Sequence, residues 1–478
     1  LILNQINEFH AQTYAIPDNR IMKIIILGAG QVGSSVAANL VSEANDITVI
    51  DTNPECLQGL SERYDLRTIV GIASHPSVLA KAGAKDADMI IAVTNSDETN
   101  MIACQVAYTL FHTPTKIARV RNNEYLKNPA LFSQEALPID VLISPEQVVT
   151  EYIERLISFP GALQVLDFAN GQAQMVAVSA HYSGPLSGKK VCDISSKLPD
   201  IEFRIVAIFR AGRSIIPDGN TEIEPNDEVF FIGAPKHIRT LLKTNRSIEK
   251  AAKRIIIAGG GNIGMRLARA LEDRYQVKLI ELNSHRAQEV SELLKKTIVL
   301  QGDVADEDLL IEENIENTDV FCALTNADEA NIISSMLAKR LGAHKVMALI
   351  NRAAYVDLVQ SNVIDIAISP QQATIGSLLA HIRKGDVVVV HSLRRGAAEA
   401  IEAIAHGDST SSKVVGRKID EIKLPPDTSI GAIVRGENVI IAHHDTVIEA
   451  EDHVILLVAD KKQVHEVEKI FQVGITFL

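Results

Sequence analysis

Apolar runs of strand length alternate with amphipathic stretches of helix length along most of the chain. The runs fall at 23–27, 47–50, 67–70, 88–93, 116–120 and 140–143. A second set falls at 254–258, 277–280, 297–300, 319–324, 345–350 and 364–368. Ser34–Ser42 and Gly264–Leu271 are among the amphipathic pieces between them. Short β-rich runs separated by helix-length segments predict a parallel sheet with helices on both faces. Six strands per set fit a doubly wound, Rossmann-type α/β fold. Ser144-Pro145 and Ser369-Pro370 each open a helical stretch, about 145–158 and 370–383. Ser can cap there and Pro suits the first turn. Shorter alternating runs follow, with turns such as Pro217-Asp218-Gly219-Asn220, and predict a small α+β domain.

The pattern is a duplication. Lys23-Ile24-Ile25-Ile26-Leu27-Gly28-Ala29-Gly30-Gln31-Val32-Gly33 returns as Arg254-Ile255-Ile256-Ile257-Ala258-Gly259-Gly260-Gly261-Asn262-Ile263-Gly264, an offset of 254 − 23 = 231. The same offset carries Thr94-Asn95-Ser96-Asp97-Glu98-Thr99-Asn100 onto Thr325-Asn326-Ala327-Asp328-Glu329-Ala330-Asn331, and Arg121 onto Arg352. At an offset of 225, Ile143-Ser144-Pro145 returns as Ile368-Ser369-Pro370. The small modules repeat at 225 too, Ala207–Arg210 matching Ala432–Arg435 and Thr221–Asp227 matching Thr446–Asp452. Several matches in one register imply duplication of a whole two-domain unit. The expected layout is a polar extension over Leu1–Ile21, non-native or disordered, with Met22 as the natural start. A first nucleotide-type domain follows over 22–144 and a first small domain over 145–242. A linker occupies 243–253, a second nucleotide-type domain 254–369 and a second small domain 370–478.

Length and composition narrow the function. At 478 residues several cores are expected rather than one. Lys plus Arg is 47 against 60 Asp plus Glu, a net charge of −13, which argues against a sequence-blind grip on nucleic acid. Aromatic residues are 4 % and Trp is absent, so base-stacking platforms are not expected either. No run of 18 apolar residues occurs. Four scattered cysteines (Cys56, Cys104, Cys192 and Cys322) form no CxxC pair, which fits a reduced compartment without a structural zinc.

Gly28-x-Gly30-x-x-Gly33 follows a strand and opens a helix, as Gly259-x-Gly261-x-x-Gly264 does in the second copy. The first Gly permits the turn, the second lets a pyrophosphate approach, and the third lets helix and strand pack closely. The helix N-terminus offers N–H groups to phosphate. Ala29, Gln31, Val32, Gly260, Asn262 and Ile263 complete the two loops. Asp51 lies 18 residues after Gly33 and Glu281 lies 17 after Gly264, each at the end of the second strand. A carboxylate there accepts from ribose hydroxyls and repels a 2′-phosphate, favouring NAD(H) or an adenine nucleotide over NADP(H).

Thr94-Asn95 and Thr325-Asn326 end the fourth strands, where they suit ribose or phosphate contacts and helix capping equally. Arg119, Arg121 and Arg352 end the fifth strands, suited either to phosphate or to a structural ion pair. Asp303, after the third strand of the second copy, can bond an adenine amine or a ribose. The first copy carries Gly71-Ile72 there, so the two sites are expected to differ. There is no Tyr-x-x-x-Lys pair, HExxH or GxSxG. His75, His112, His344 and His443-His444 share no constellation between the copies. A nucleotide site without a proton donor reads as a sensor rather than a catalyst. An NAD-dependent oxidoreductase with duplicated cofactor domains is the alternative.

With the duplicated order of domains, IIILGAGQVG and VTNSDETN, the chain from Met22 to Leu478 resembles the TrkA family. These are the cytoplasmic regulatory subunits of bacterial Trk potassium-uptake systems, within the wider group of domains that regulate potassium conductance. The resemblance implies a gating ring on the cytoplasmic face of the inner membrane, under the Trk system's membrane potassium-channel subunit. NAD(H) and ATP or ADP would bind in the Gly-loop crevices and reshape the ring. Four chains with two units each would form an eight-unit homotetramer. It places Gly28–Val32, Asp51, Thr94, Asn95 and Arg119 at the first site, and Gly259–Ile263 and Glu281 at the second.

Overall fold

The central strands of each large sheet are apolar runs buried on both faces, as a parallel sheet covered by crossover helices requires. The computed structural model describes residues 21–41, 45–182, 184–244, 252–359, 364–382, 386–393 and 397–473. The expected extension, apart from Ile21, lies outside the described residues, as do 245–251 of the expected linker. Lys243 and Thr244 are not linker, because they end the helix Pro235–Thr244.

The first large sheet comprises β1 (Lys23–Leu27), β2 (Asp46–Asp51), β3 (Arg67–Val70), β4 (Met89–Ala92), β5 (Thr115–Arg119) and β6 (Val141–Ile143). Its order is β3-β2-β1-β4-β5-β6, all parallel. The order reverses beside β1, so the crevice at the ends of β1 and β4 is the ligand position of a doubly wound fold.

The first small domain follows with β7 (Ala162–Phe168), β8 (Ala173–Ser179), β9 (Phe203–Arg210), β10 (Arg213–Ile215) and β11 (Glu228–Gly233). They form an antiparallel sheet in the order β10-β9-β11-β8-β7. The second large sheet has β12 (Arg254–Ala258), β13 (Gln276–Glu281), β14 (Ile298–Gln301), β15 (Val320–Ala323), β16 (Lys345–Leu349) and β17 (Ile366–Ile368). Its order repeats the first, β14-β13-β12-β15-β16-β17. The second small sheet, β18 (Val387–Leu393), β19 (Ala398–Ala405), β20 (Thr428–Arg435), β21 (Asn438–Ile441) and β22 (Asp452–Val458), has the order β18-β19-β22-β20-β21.

The chain divides into two units. One runs to Val148 and takes in Ala373–His381; the other holds Val149–Gln372 and the residues from Ile382 onward. Within the second unit the two small sheets share one core. Phe168, Phe209, Phe230 and Ile232 from the first pack with Leu393, Ala400, Val434 and Leu457 from the second. A Cβ on Gly431 would stand 2.7 Å from Val206 Cγ1, so the sheets meet too closely there for any side chain. Gln164 Nε2 donates to Ser392 O at 3.0 Å and Ala169 N to the buried Glu402 Oε2 at 2.8 Å. The repeated small-domain arginines clamp their own hairpins. Arg210 donates to Asp227 through Nε (3.0 Å) and Nη2 (2.8 Å), and Arg435 does the same to Asp452 at 2.8 Å each.

The two copies slip by one residue in the fourth crossover. The helix Asp97–Val106 continues into a π-turn over Ala107–Phe111 before His112, at φ 55°. Its counterpart Asp328–Arg340 reaches Gly342, at φ 104°, without one. A π-turn absorbs one extra residue inside a helix. The offset is 328 − 97 = 231 before it and 345 − 115 = 230 after it, since Thr115 N and Lys345 N donate to the matched Asp88 O and Asp319 O. The equivalence of Arg121 with Arg352 is therefore corrected. Asp97 accepts from Arg121 N and Asn122 N, and Asp328 from Asn351 N and Arg352 N. Arg121 corresponds to Asn351, and Arg352 to Asn122.

Candidate functional site

Each crevice begins where β1 or β12 runs out. Gly28 N donates to Ile50 O at 2.7 Å and Gly259 N to Ile280 O at 2.8 Å, pinning both loops to the neighbouring strand. Gly28 (φ 105°) and Gly259 (φ 106°) then turn in the left-handed region, which favours glycine. The helices Gln31–Val41 and Asn262–Leu271 start immediately after. Their first amide bonds are Ser34 N to Gly30 O (2.9 Å) and Met265 N to Gly261 O (3.0 Å), so the preceding N–H groups have no intrahelical partner.

The three glycines of each loop differ in what they serve. A Cβ on Gly33 or Gly264 would lie 1.9 Å from the carbonyl oxygen of Gly28 or Gly259, so packing alone demands them. A Cβ on Gly30 or Gly261 would meet nothing within 4 Å. The fold does not require glycine at these two positions, and the space beside them is open.

The acids sit beside the loops in matching geometry. Asp51 Oδ2 accepts from Ala29 N at 2.6 Å and Oδ1 from Asn53 N at 2.8 Å. Glu281 Oε2 accepts from Gly260 N at 2.6 Å and Oε1 from Asn283 N at 2.9 Å. The longer acid faces the residue without a Cβ: one on Gly260 would be 3.0 Å from Glu281 Oε2. Both carboxylates thus brace their loops, and their second lone pairs stay available to a ribose.

At the fourth strands, the side chain that wires the edge is Asn100 or Asn331. Asn100 Oδ1 accepts from Thr94 N (2.9 Å) and Thr94 Oγ1 (2.6 Å), and Nδ2 donates to Arg119 O (2.9 Å). Asn331 binds Thr325 and Leu349 O in the same way. The helix cap in the first copy is Ser96, whose Oγ accepts from Thr99 N at 3.1 Å; the second copy has Ala327 there and no side-chain cap. Asn95 contributes its carbonyl, which accepts from Arg121, and Asn326 holds the matching position after Thr325.

The arginines are paired. Arg121 Nε is 3.3 Å from Asp97, Arg119 Nη2 is 3.3 Å from Glu146, and the exposed Arg352 Nη1 is 3.2 Å from Glu329. Arg119 Nε and Ser144 Oγ are buried without a hydrogen-bond partner among the described residues. Ser144 therefore does not cap its helix, whereas Ser369 Oγ accepts from Gln372 N at 3.5 Å. Asp303 closes its own turn by accepting from Ala305 N at 2.9 Å, and Ile72 is exposed. One residue beside the second loop was not among the expected site residues. Arg286 Nε donates to Gly260 O at 2.8 Å. Aligning the two acids at 281 − 51 = 230 pairs it with Cys56 and signals the difference.

Among the described residues no group of three or more His, Cys, Asp or Glu could hold a metal ion, and no helix is long and apolar enough to cross a membrane. Two doubly wound domains with twin Gly-loop crevices, each followed by a small antiparallel domain, make a tandem architecture of nucleotide-type and small α+β domains. Models of the TrkA-N domain match residues 24–145 and 255–370, and models of the TrkA-C domain match 175–245 and 409–472. A Trk system potassium uptake protein TrkA from Halomonas elongata is 61 % identical over 95 % of this chain and 100 % of its own. The protein of that name from Vibrio alginolyticus is 60 % identical over 96 % of this chain and 100 % of its own. The chain belongs to the TrkA family of potassium-uptake regulatory subunits. It shares its fold with the GsuK channel, at a TM-score of 0.60 and 19 % identity over 96 % of this chain and 81 % of the other. A GsuK structure bound to NAD matches at a TM-score of 0.59 and 19 % identity over 96 % and 80 %.

Proposed function

We propose that the chain is a nucleotide-sensing regulatory subunit, not an enzyme, that gates potassium uptake through a membrane channel subunit. The observation that carries this reading is the open space at Gly30 and Gly261, in loops where every other glycine constraint has a structural cause. NAD(H) and ATP or ADP are the ligands. Gly28–Gly33, Asp51, Thr94, Asn95, Arg119 and Arg121 hold them in the first cradle. Gly259–Gly264, Glu281, Asp303, Thr325, Asn326 and Arg352 hold them in the second. Helix N-termini take the phosphates and the acids take the ribose. The subunit works at the cytoplasmic face of the membrane as a homotetramer of tandem units, with nucleotide domains over 22–144 and 254–369 and small domains over 145–242 and 370–478.

The mechanism is linkage. A nucleotide shifts the gate only by its differential affinity for two conformations. The asparagines Asn100 and Asn331 tie the mouth of each crevice to the fifth strand, which gives a bound phosphate a route to the far edge of the sheet. Reconstitution with a Trk channel subunit in vesicles tests the proposal. Potassium flux should differ between NADH, ATP and no nucleotide, and identical flux in all three would refute it.

A further inference from the structure

We infer that Arg286 is a specificity-determining residue that makes the second cradle tolerant of added negative charge on the adenosine ribose, whereas the first cradle rejects it. The inference rests on the nucleotide reading of the cradles and goes beyond it, because that reading treats both acids alike.

The two ribose edges differ in the charged side chains they carry. In the first, Asp51 stands with Asn53 at the start of helix Pro54–Ser61, and the third residue of that region is the exposed Cys56. In the second, Glu281 and Asn283 repeat the arrangement, and the matching position at 56 + 230 = 286 is arginine. Its guanidinium is fixed over the loop by Nε donating to Gly260 O at 2.8 Å, the carbonyl of the same residue whose N–H holds Glu281 at 2.6 Å. A cation and an anion thus bracket one residue of the second loop. In the first loop the matching carbonyl, Ala29 O, accepts instead from the neutral Ser34 Oγ at 2.7 Å.

The guanidinium has donors to spare. Its Nη1 lies 2.8 Å from Glu289 Oε2, but Glu289 is half exposed, so that pair is weak and replaceable. A phosphate on the ribose would meet a planar fork suited to it. At the other end of the crevice the second cradle is the less charged: Leu349 and Gln371 stand in register with Arg119 and Glu146. The first cradle therefore carries Arg119 at the fifth-strand end, where the second has Leu349, and the second carries Arg286 at the adenosine end, where the first has Cys56.

The test compares ADP with adenosine 2′,5′-bisphosphate by calorimetry on the full chain. One cradle is silenced at a time by Gly30→Leu or Gly261→Leu, where the new side chain enters open space. The ratio of the two dissociation constants, bisphosphate over ADP, should be about tenfold lower in the second cradle than in the first. Arg286→Cys should raise it to the first cradle's value, Cys56→Arg should lower it in the first, and Arg286→Lys should fall between. Equal ratios in the two cradles, or a ratio unmoved by Arg286→Cys while ADP still binds, would overturn this inference and leave the nucleotide reading standing. No ADP binding at either cradle of the unmodified chain would overturn both.

Discussion

Replacing glycines one at a time separates the fold's requirement from the ligand's. At Gly33 an added Cβ would stand 1.9 Å from Gly28 O, where real Cβ contacts essentially never fall under 3.0 Å, an overlap of 3.0 − 1.9 = 1.1 Å against backbone. The carbonyl cannot rotate away freely, because the N–H of its own peptide, Ala29 N, donates to Asp51 Oδ2 at 2.6 Å. Helix Gln31–Val41 must then move off the sheet, at a cost of about 1–3 kcal/mol or more. At Gly30 the same Cβ meets nothing, so the stability change of Gly30→Ala should stay within about 0.5 kcal/mol. Gly261 is a helix N-cap, where Ala is distinctly worse than Gly. The double variant Gly30→Ala/Gly261→Ala should therefore lose about 1 kcal/mol of stability and remain folded. It should also lose at least tenfold in NADH affinity, about 1.4 kcal/mol, because the methyl occupies the approach to the backbone. Calorimetric titration beside a thermal melt reads both quantities. Full-strength NADH binding by the double variant would refute the assignment of the open space to a ligand. A Gly33→Ala variant that melts like the parent would refute the packing argument.

Other outcomes follow from pairs and burial. Arg210→Ala and Arg435→Ala each strand a buried aspartate, Asp227 or Asp452, and should lower stability by about 2–3 kcal/mol in denaturant titrations. Burial pushes the Cys104 and Cys322 thiols up to about 12, while Cys56 and Cys192 are exposed. Iodoacetamide at about pH 8 should label the exposed pair and spare the buried pair until the protein unfolds, as read by mass spectrometry. The Glu402 carboxylate accepts from His453 Nδ1 at 2.6 Å and holds that imidazole above its ordinary value of 6.5. Its stabilisation is complete below that value and fades as pH rises through the folded-state value, so His453→Gln should cost more stability at about pH 5.5 than at about pH 8. An equal cost at both would refute the pairing.

What was legible in the sequence was local. Gly28–Gly33 with Asp51, and Gly259–Gly264 with Glu281, needed only a strand, a turn and a helix in order. The alternating runs of β1–β6 and β12–β17 predicted the parallel sheets because helix-length segments separate them, and the central strands β1, β4, β12 and β15 are buried on both faces. What was hidden depended on distant segments or on a silent insertion. The π-turn at Ala107–Phe111 leaves no mark in composition, so matching motifs by one offset carried Arg121 to the wrong partner. Thr94 and Thr325 suit ligand and cap equally in sequence, which bears no sign of Asn100 and Asn331 holding them while reaching across to β5 and β16. The shared core of the small sheets joins residues more than two hundred positions apart, and no local pattern announces that Phe230 will meet Val434. Arg286 was readable, but only by laying one copy over the other at the acid rather than at the glycines.

That seam between the small sheets has a consequence for the chain as a whole. Were the chain broken between its two copies, the halves would not part, since Gly431 against Val206 and Glu402 against the Ala169 amide would still hold them. Association of the two halves costs nothing in concentration, because each is delivered with its mate by the ribosome. Neither half is therefore obliged to remain a copy of the other. Each position is occupied by one defined half, and a guanidinium can accumulate at one crevice and a thiol at its twin without either having to serve both places.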